Sequence, residues 1–183
     1  MKNIGAVIGM YPTPATIIGT EVDGKINWMM VAHVGIWDMD KILLSIGKIH
    51  YSNGGLMENK SVSINMINEE MLVSADYVGL ASGKSADKSH VFEYFYGDLK
   101  GAPMIKEAPI AMECSIEQVY ETQTHNNYII KPINTYVREE FLSDNGKIDY
   151  EKVKPILFEM PNRQYFSIGK VVGKCWSIGK EYK

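Results

Sequence analysis

Apolar residues along this chain alternate with polar ones or fill short stretches completely, a pattern of strands rather than of long helices. Ala15 to Thr20 is a β-branched run, Asp23-Gly24-Lys25 a turn of hairpin type and Ile26 to Val31 a second apolar stretch, so a hairpin is predicted to open the domain. A third strand is predicted at Ile42 to Ile49. Ser52 is placed to cap a short helix over Asn53 to Asn59, weakened by Gly54 and Gly55, before strand character returns at Val62 to Asn65. Asn68 followed by Glu69-Glu70 starts a helix through Tyr77, its acids suited to the positive end of the dipole. Ala102 to Pro109 has the character of a loop and Ile110 to Val119 of a long strand; Tyr128 to Val137 is another strand, which Pro132 confines to an edge or a bulge. Asp149 to Val153 reads as a helical turn, and Gln164 to Ile168 and Val171 to Trp176 as closing strands. The sum is a mainly β protein with short helices, in which a barrel is favoured over a doubly wound sheet.

Length and charge narrow this picture. The 183 residues suit a single domain spanning 1–183, and a hydrophobic content of 45% with 22% charged residues is that of a soluble globular protein. No apolar run is long enough to span a bilayer, and Ile4 to Met10 is too short and too lightly charged for a secretory signal, so a cytoplasmic protein is expected. A net charge of -3 argues against a general nucleic-acid binder. Cys114 and Cys175 each sit in an apolar run without Cys-x-x-Cys spacing and are expected to be buried free thiols. His33, His50, His90 and His125 show no metal-binding spacing. Ser-Ile-Gly-Lys recurs at Ser45, Ser167 and Ser177, but the flanks diverge at once and no repeat surrounds it.

The stretch Ser82 to His90 carries two lysines and three serines on a small-residue turn, followed by a segment with the character of a short helix. Backbone N–H groups, hydroxyls and a cationic head group can there converge on one anion, and a following helix would add the positive end of its dipole. Neither a Gly-x-Gly-x-x-Gly fingerprint nor a Walker-type loop is present, so a phosphate grip here belongs to another architecture.

Several segments, in order and at the right approximate spacing, resemble the flavin reductase-like, FMN-binding split-barrel family, and within it the flavoredoxins. They are Asp23-Gly24-Lys25-Ile26-Asn27-Trp28-Met29, Ser45 through Ser52, Ser82-Gly83 with Asp87-Lys88, Met112-Glu113-Cys114, His125, and Arg163 to Gly169 with its aromatic centre. The resemblance runs from about Pro14 to Gly169. It implies a six-stranded antiparallel barrel of Greek-key type that dimerises and holds one FMN per subunit near the interface.

It also implies roles. Asn27 and the backbone around Met29, Met30, Val31 and Ala32 would meet the isoalloxazine edge. Ser45, His50, Tyr51 and Ser52 would line the ribityl and phosphate end with Ser82, Gly83 and Lys88, and Lys88 would answer the phosphate charge while Lys84 is dispensable. Tyr165 would stand beside the flavin, and His125 nearby is the candidate for a catalytic role. The chain departs from the family pattern at His33, where relatives often carry Trp; Trp28 and Trp37 flank that position without occupying it. The polar stretch Asn134 to Lys154 would cover the site or serve the dimer.

Taken singly, these residues have plainer readings. Asn27 suits a turn, Lys88 a solvated surface, His125 a loop, and Tyr165 and Phe166 the two faces of one strand. Three functions stay open at this level: an FMN-dependent oxidoreductase taking electrons from NAD(P)H or a reduced protein donor, an FMN-binding electron carrier without significant NAD(P)H turnover, and a split barrel that binds no flavin.

Overall fold

The computed structural model describes residues 1–182. Strands β2 (Thr16–Val22) and β3 (Lys25–Val31) form the predicted opening hairpin. Its two turn residues, Asp23 and Gly24, have φ of 52° and 72°, the primed geometry that matches the right-handed twist of paired strands.

The main sheet continues through β4 (Val34–Asp38), β5 (Lys41–Gly47), β6 (Ser61–Met66), β9 (Ile110–Glu121) and β10 (His125–Val137), all pairs antiparallel, in the order β3-β2-β6-β9-β10-β5-β4. Met29 and Val31 of β3 share one core with Leu44 and Ile46 of β5, so the two ends of the run β3 to β5 curl toward each other around a common interior. They form an antiparallel split barrel of six strands, with β4 added beyond β5. That seventh strand was not foreseen, because its side chains stay largely exposed, Ile36 at 89%, and no burial pattern marks it.

Two apolar layers explain why β2 and β3 read as continuous hydrophobic runs. Ile18, Met29 and Val31 point into the barrel, whereas Ile17 and Trp28 face outward beneath helix α2 (Leu72–Leu80), where Ala75 and Val78 cover them. Trp28 meets Phe92 edge to face at 5.8 Å. Helix α1 (Ser52–Asn59) sends Leu56 into the barrel core. Gly55 is required there, because a Cβ would strike the Glu21 carbonyl oxygen and the Thr20 hydroxyl.

Short pieces complete the chain: β1 (Thr13–Pro14), β7 (Tyr94–Phe95), β8 (Met104–Ile105), helix α3 (Tyr150–Val153), β11 (Ile156–Glu159) and β12 (Gln164–Ser167). Asp149 caps α3 by accepting from the N–H groups of Glu151 and Lys152 at 3.0 and 3.2 Å. Strand β9 buries Glu113, whose carboxylate accepts from Leu99 N at 2.7 Å, Asp98 N at 3.1 Å and Asn134 Nδ2 at 2.6 Å, fastening the 97–99 loop to the barrel. Burial opposes that charge, but these hydrogen bonds outweigh it and hold the carboxyl below its usual range. Pro132 sits at a register shift in β10, in the part of that strand that pairs with β9 alone, as an edge or bulge proline should.

Four expectations are corrected. Ser52 does not cap α1; it is the first helical residue, and its hydroxyl accepts from Asn27 Nδ2 and donates to Met29 Sδ. The acidic residues after Asn68 form a 3-10 turn, Glu69–Met71, and the α-helix starts only at Leu72. No helix follows the Ser82 to His90 turn, where the chain stays in turns and bends up to Glu93. Val171 to Trp176 pairs with nothing and is exposed, so Cys175 is exposed while Cys114 is buried; burial pushes the Cys114 thiol up to about 12.

Candidate functional site

Two adjoining clefts open where the barrel splits. The split cleft, about 290 Å³, lies between the end of β3 and β5 and is walled by Met29, Met30, Val31, Ala32, His33, Ser45, His50 and His125. The loop cleft, about 230 Å³, is walled by Asn27, Met29, His50, Tyr51, Ser52, Ser82, Gly83 and Lys88. Met29 and His50 belong to both, so the two are ends of one site. Every site residue expected from the sequence lines one of them except Tyr165.

At the loop cleft the turn is tied by Ser85 N and Ala86 N, which donate to the Ser82 carbonyl at 3.0 and 2.9 Å. Gly83 rests against Asn27 and Tyr51: a Cβ there would collide with the Asn27 amide oxygen and lie 2.6 Å from Tyr51 Cδ1. Tyr51 is held in place by donating its hydroxyl to Asp23 at 2.9 Å, and Asn27 by donating to the Ser52 hydroxyl oxygen at 2.8 Å.

Lys88 is only 3% exposed. Its ammonium donates to the carbonyls of Val78 at 3.1 Å and Ala81 at 2.9 Å, the C-terminal end of α2. Helix α2, which precedes the turn, therefore contributes the negative end of its dipole: its carbonyls hold the cation. An ammonium has three donors, and two are used. Burial alone shifts this lysine, lowering it to about 8, with no carboxylate supporting its charge.

At the split cleft His33 and His125 face each other with ring centroids 6.1 Å apart. The Thr124 hydroxyl lies 2.8 Å from His125 Nδ1, and His125 Nε2 lies toward the cleft residue Gly47. His50 is held below the usual histidine value, first by burial and then by the charges of His125 and Lys88. Its ring is neutral near pH 7. Ser45 donates to Asn127 Oδ1 at 2.8 Å.

The structure exchanges two expected positions. Asn27 belongs to the loop cleft beside Gly83 and Lys88, and Ser45 to the split cleft beside His33, because β3 runs from Asn27 at its hairpin end to the split, while Ser45 lies on β5 with its backbone N–H bonded to the His33 carbonyl at 2.9 Å. Tyr165 stands behind the wall: its hydroxyl donates to Asp76 at 2.6 Å and approaches Met30 Sδ at 3.6 Å, and its ring leans on Phe158 with centroids 5.9 Å apart. Phe158 and Met160 are the residues that face the split cleft. They were missed, although the apolar run Ile156-Leu157-Phe158 between Pro155 and the Pro161-Asn162 turn signals a short strand. The loop cleft also includes Gly79, Leu80 and Ala81 at the end of α2, and no residue of 134–154 lines either cleft.

An antiparallel split barrel with a composite cleft at its seam is the class that fold and site define. The family profile described as flavin reductase like domain matches residues 8–165, and the chain belongs to that family. It is similar to flavoredoxin from Methanosarcina acetivorans, with 36% identity, a TM-score of 0.94 and coverage of 98% of this chain and 97% of that one. Flavoredoxin of Desulfovibrio vulgaris (Miyazaki F) is 30% identical, with a TM-score of 0.90 over 98% of this chain and 99% of that one. The FMN-binding protein of Thermus thermophilus, at 19% identity and a TM-score of 0.75 over 91% and 94% of the two chains, shares the fold. No curated protein matches the chain significantly. Among the described residues no helix is long and apolar enough to cross a membrane, and no cluster of His, Cys, Asp and Glu is arranged for a metal ion.

Proposed function

We propose that this protein is an FMN-dependent oxidoreductase of the cytoplasm, with the phosphate of FMN at the loop cleft and the isoalloxazine at the split cleft. The observation that carries the reading is Lys88, a buried ammonium with no carboxylate beside it and a donor to spare, on the wall of a cleft that also offers Ser52, Ser82 and the close-packed Gly83. A buried cation whose protein partners are two carbonyls keeps a donor and an unneutralised charge for an anionic group of a ligand.

FMN held there would supply hydride and single-electron transfer. The chain's own residues bind, orient and shield it. Lys88 carries the phosphate charge while its two carbonyl partners fix where the ammonium sits. Asn27, locked by its bond to Ser52, and Tyr51, locked by Asp23, set the width of the passage beside Gly83. Phe158 and Met160 cover the split, and His125 presents Nε2 toward it. An exposed apolar edge on β4 and beyond it, with Ile36 at 89%, Trp37 at 56% and Met39 at 99%, supports a homodimer. NAD(P)H or a reduced protein is the electron donor in this reading.

The test is the visible absorption spectrum of the purified protein. A yellow protein with flavin bands is expected, and a colourless one that takes up no added FMN would overturn the proposal. Anaerobic mixing with NADH and with NADPH then reads the donor. Rapid bleaching marks a reductase; bleaching only by a reduced redox protein marks a carrier.

A further inference from the structure

The cover of the split cleft is carried by a small sheet outside the barrel. Strands β1, β11 and β12 form it in that order, so β12 is its outer edge and pairs with β11 alone. At its base the sheet is tied by main-chain bonds, Ala15 N donating to the Ile156 carbonyl at 2.9 Å and Ile156 N to the Ile67 carbonyl at 3.0 Å. Phe158 and Met160, which face the split, lie beyond that base toward the turn that joins β11 to β12. Among the described residues, the side-chain hydrogen bonds from residues 156–167 to other parts of the chain all come from Tyr165. Its hydroxyl donates to Asp76 of α2 at 2.6 Å and lies 3.6 Å from Sδ of Met30, itself a residue of the split cleft. Gly79 lets the same helix close on Met30, since a Cβ there would lie 3.2 Å from Met30 Cβ. On its other side the Tyr165 ring leans on Phe158, its direct partner across the two strands. Burial, then the hydrogen bond and charge of Asp76, raise the phenol above its ordinary value, so the hydroxyl keeps its proton and goes on donating.

We infer that Tyr165, anchored on Asp76, is the positioning residue of the split cleft: it holds Phe158 and Met30 against the place of the reactive ring and so limits what reaches it. Tyr165 acts through these two side chains and does not itself line the cleft. A hydroxyl bonded to a carboxylate is a stronger tie than one bonded to a neutral group, and here it fastens an outer strand that has no further strand to pair with. The inference rests on the reading of the split cleft as the isoalloxazine end of the flavin site.

Hydrogen exchange on the full-length free protein, read by mass spectrometry, is the first test. In Tyr165→Phe the amides of residues 156–167 should exchange about tenfold faster, the worth of one hydrogen bond to a charged group, while those of β9 and β10 keep wild-type rates and show the barrel intact. Asp76→Ala should do the same. Asp76→Asn keeps an acceptor for the hydroxyl and should stay within about twofold of the wild type, and Tyr165→Phe/Asp76→Ala should go no further than either single change. The protein loaded with FMN then shows whether this tie governs access. Tyr165→Phe should bind FMN within about threefold of the wild type, because the phosphate end is untouched, while dithionite reduces the flavin about threefold faster. Unmoved exchange in residues 156–167, or faster exchange with an unchanged dithionite rate, would overturn the inference. Failure of the wild type to bind FMN would instead overturn the proposed function, and the exchange comparison still reads whether Tyr165 holds the cover.

Discussion

At the loop cleft Asn27, Ser52 and Lys88 are buried and fixed, whereas at the split cleft His33 is exposed and His125 half-buried. Lys88 is 3% exposed, Asn27 4% and Ser52 1%, and Asn27 and Lys88 are each locked by neighbours at 2.8 to 3.1 Å. Across Met29 and His50, the other end offers His33 and His125 facing each other at 6.1 Å, under the aromatic and thioether cover of Phe158 and Met160. A fixed, dry cation is strong toward a phosphate because little water competes for it. In the proposed reading the two ends divide the work: the loop cleft would set how tightly the cofactor is held, and the split cleft what it does.

The largest effect that follows is on affinity at the loop end. Lys88→Met keeps the buried volume and removes the charge, and FMN binding should weaken about a hundredfold, the worth of a buried charge-assisted contact. Fluorescence titration checks this, with circular dichroism expected to show the fold retained. An unchanged affinity would move the phosphate elsewhere. Gly83→Ala should cost about tenfold or more, since the new methyl must displace Asn27 or Tyr51 from the cleft wall.

A smaller effect is expected from pH. In the free protein Lys88 is lowered to about 8, and a bound dianion raises it, so FMN affinity should fall as pH rises above about 8, by at most tenfold per unit. The same shift has the opposite sign for folding. Between about 8 and the ordinary lysine value the unfolded chain binds more protons than the folded one, so the free protein gains stability as pH rises through that window. Both trends should vanish in Lys88→Met, and persistence of either would assign it to another group.

The smallest change in affinity should come from the split end. His33→Trp is expected to leave FMN binding within about threefold while shifting the flavin absorption bands or the reduction potential, because an indole at this position changes the ring's surroundings and not its anchor. An unaltered spectrum and potential would place His33 away from the ring.

Much of this contrast was legible in the sequence, for unequal reasons. The hairpin at Asp23-Gly24 is dictated by two positions that must take positive φ, and the strands on either side announce themselves by β-branched residues. The expected residues that line the two clefts sit at strand ends and turns whose order is distinctive. What the sequence hid was direction and depth. Lys88 has no apolar neighbour pattern that marks it as buried, and its bonds to Val78 and Ala81 depend on how the loop folds back over α2. Asn27 and Ser45 exchanged ends because the barrel's split, not their spacing along the chain, decides which cleft each one reaches. Tyr165 was expected beside the flavin, whereas Phe158 is the aromatic residue of this pair that lines the split cleft. The two are directly paired across β11 and β12, and only tertiary packing turns one into the cleft and the other onto Asp76.

The most direct test compares FMN with riboflavin, which carries the same ring and lacks the phosphate, in wild type and in Lys88→Met. FMN should bind the wild type about a hundredfold more tightly than riboflavin, and the variant should hold the two almost equally, with its riboflavin affinity close to that of the wild type. Equal affinities for FMN and riboflavin in the wild type would contradict the assignment of Lys88 and the loop cleft to the phosphate.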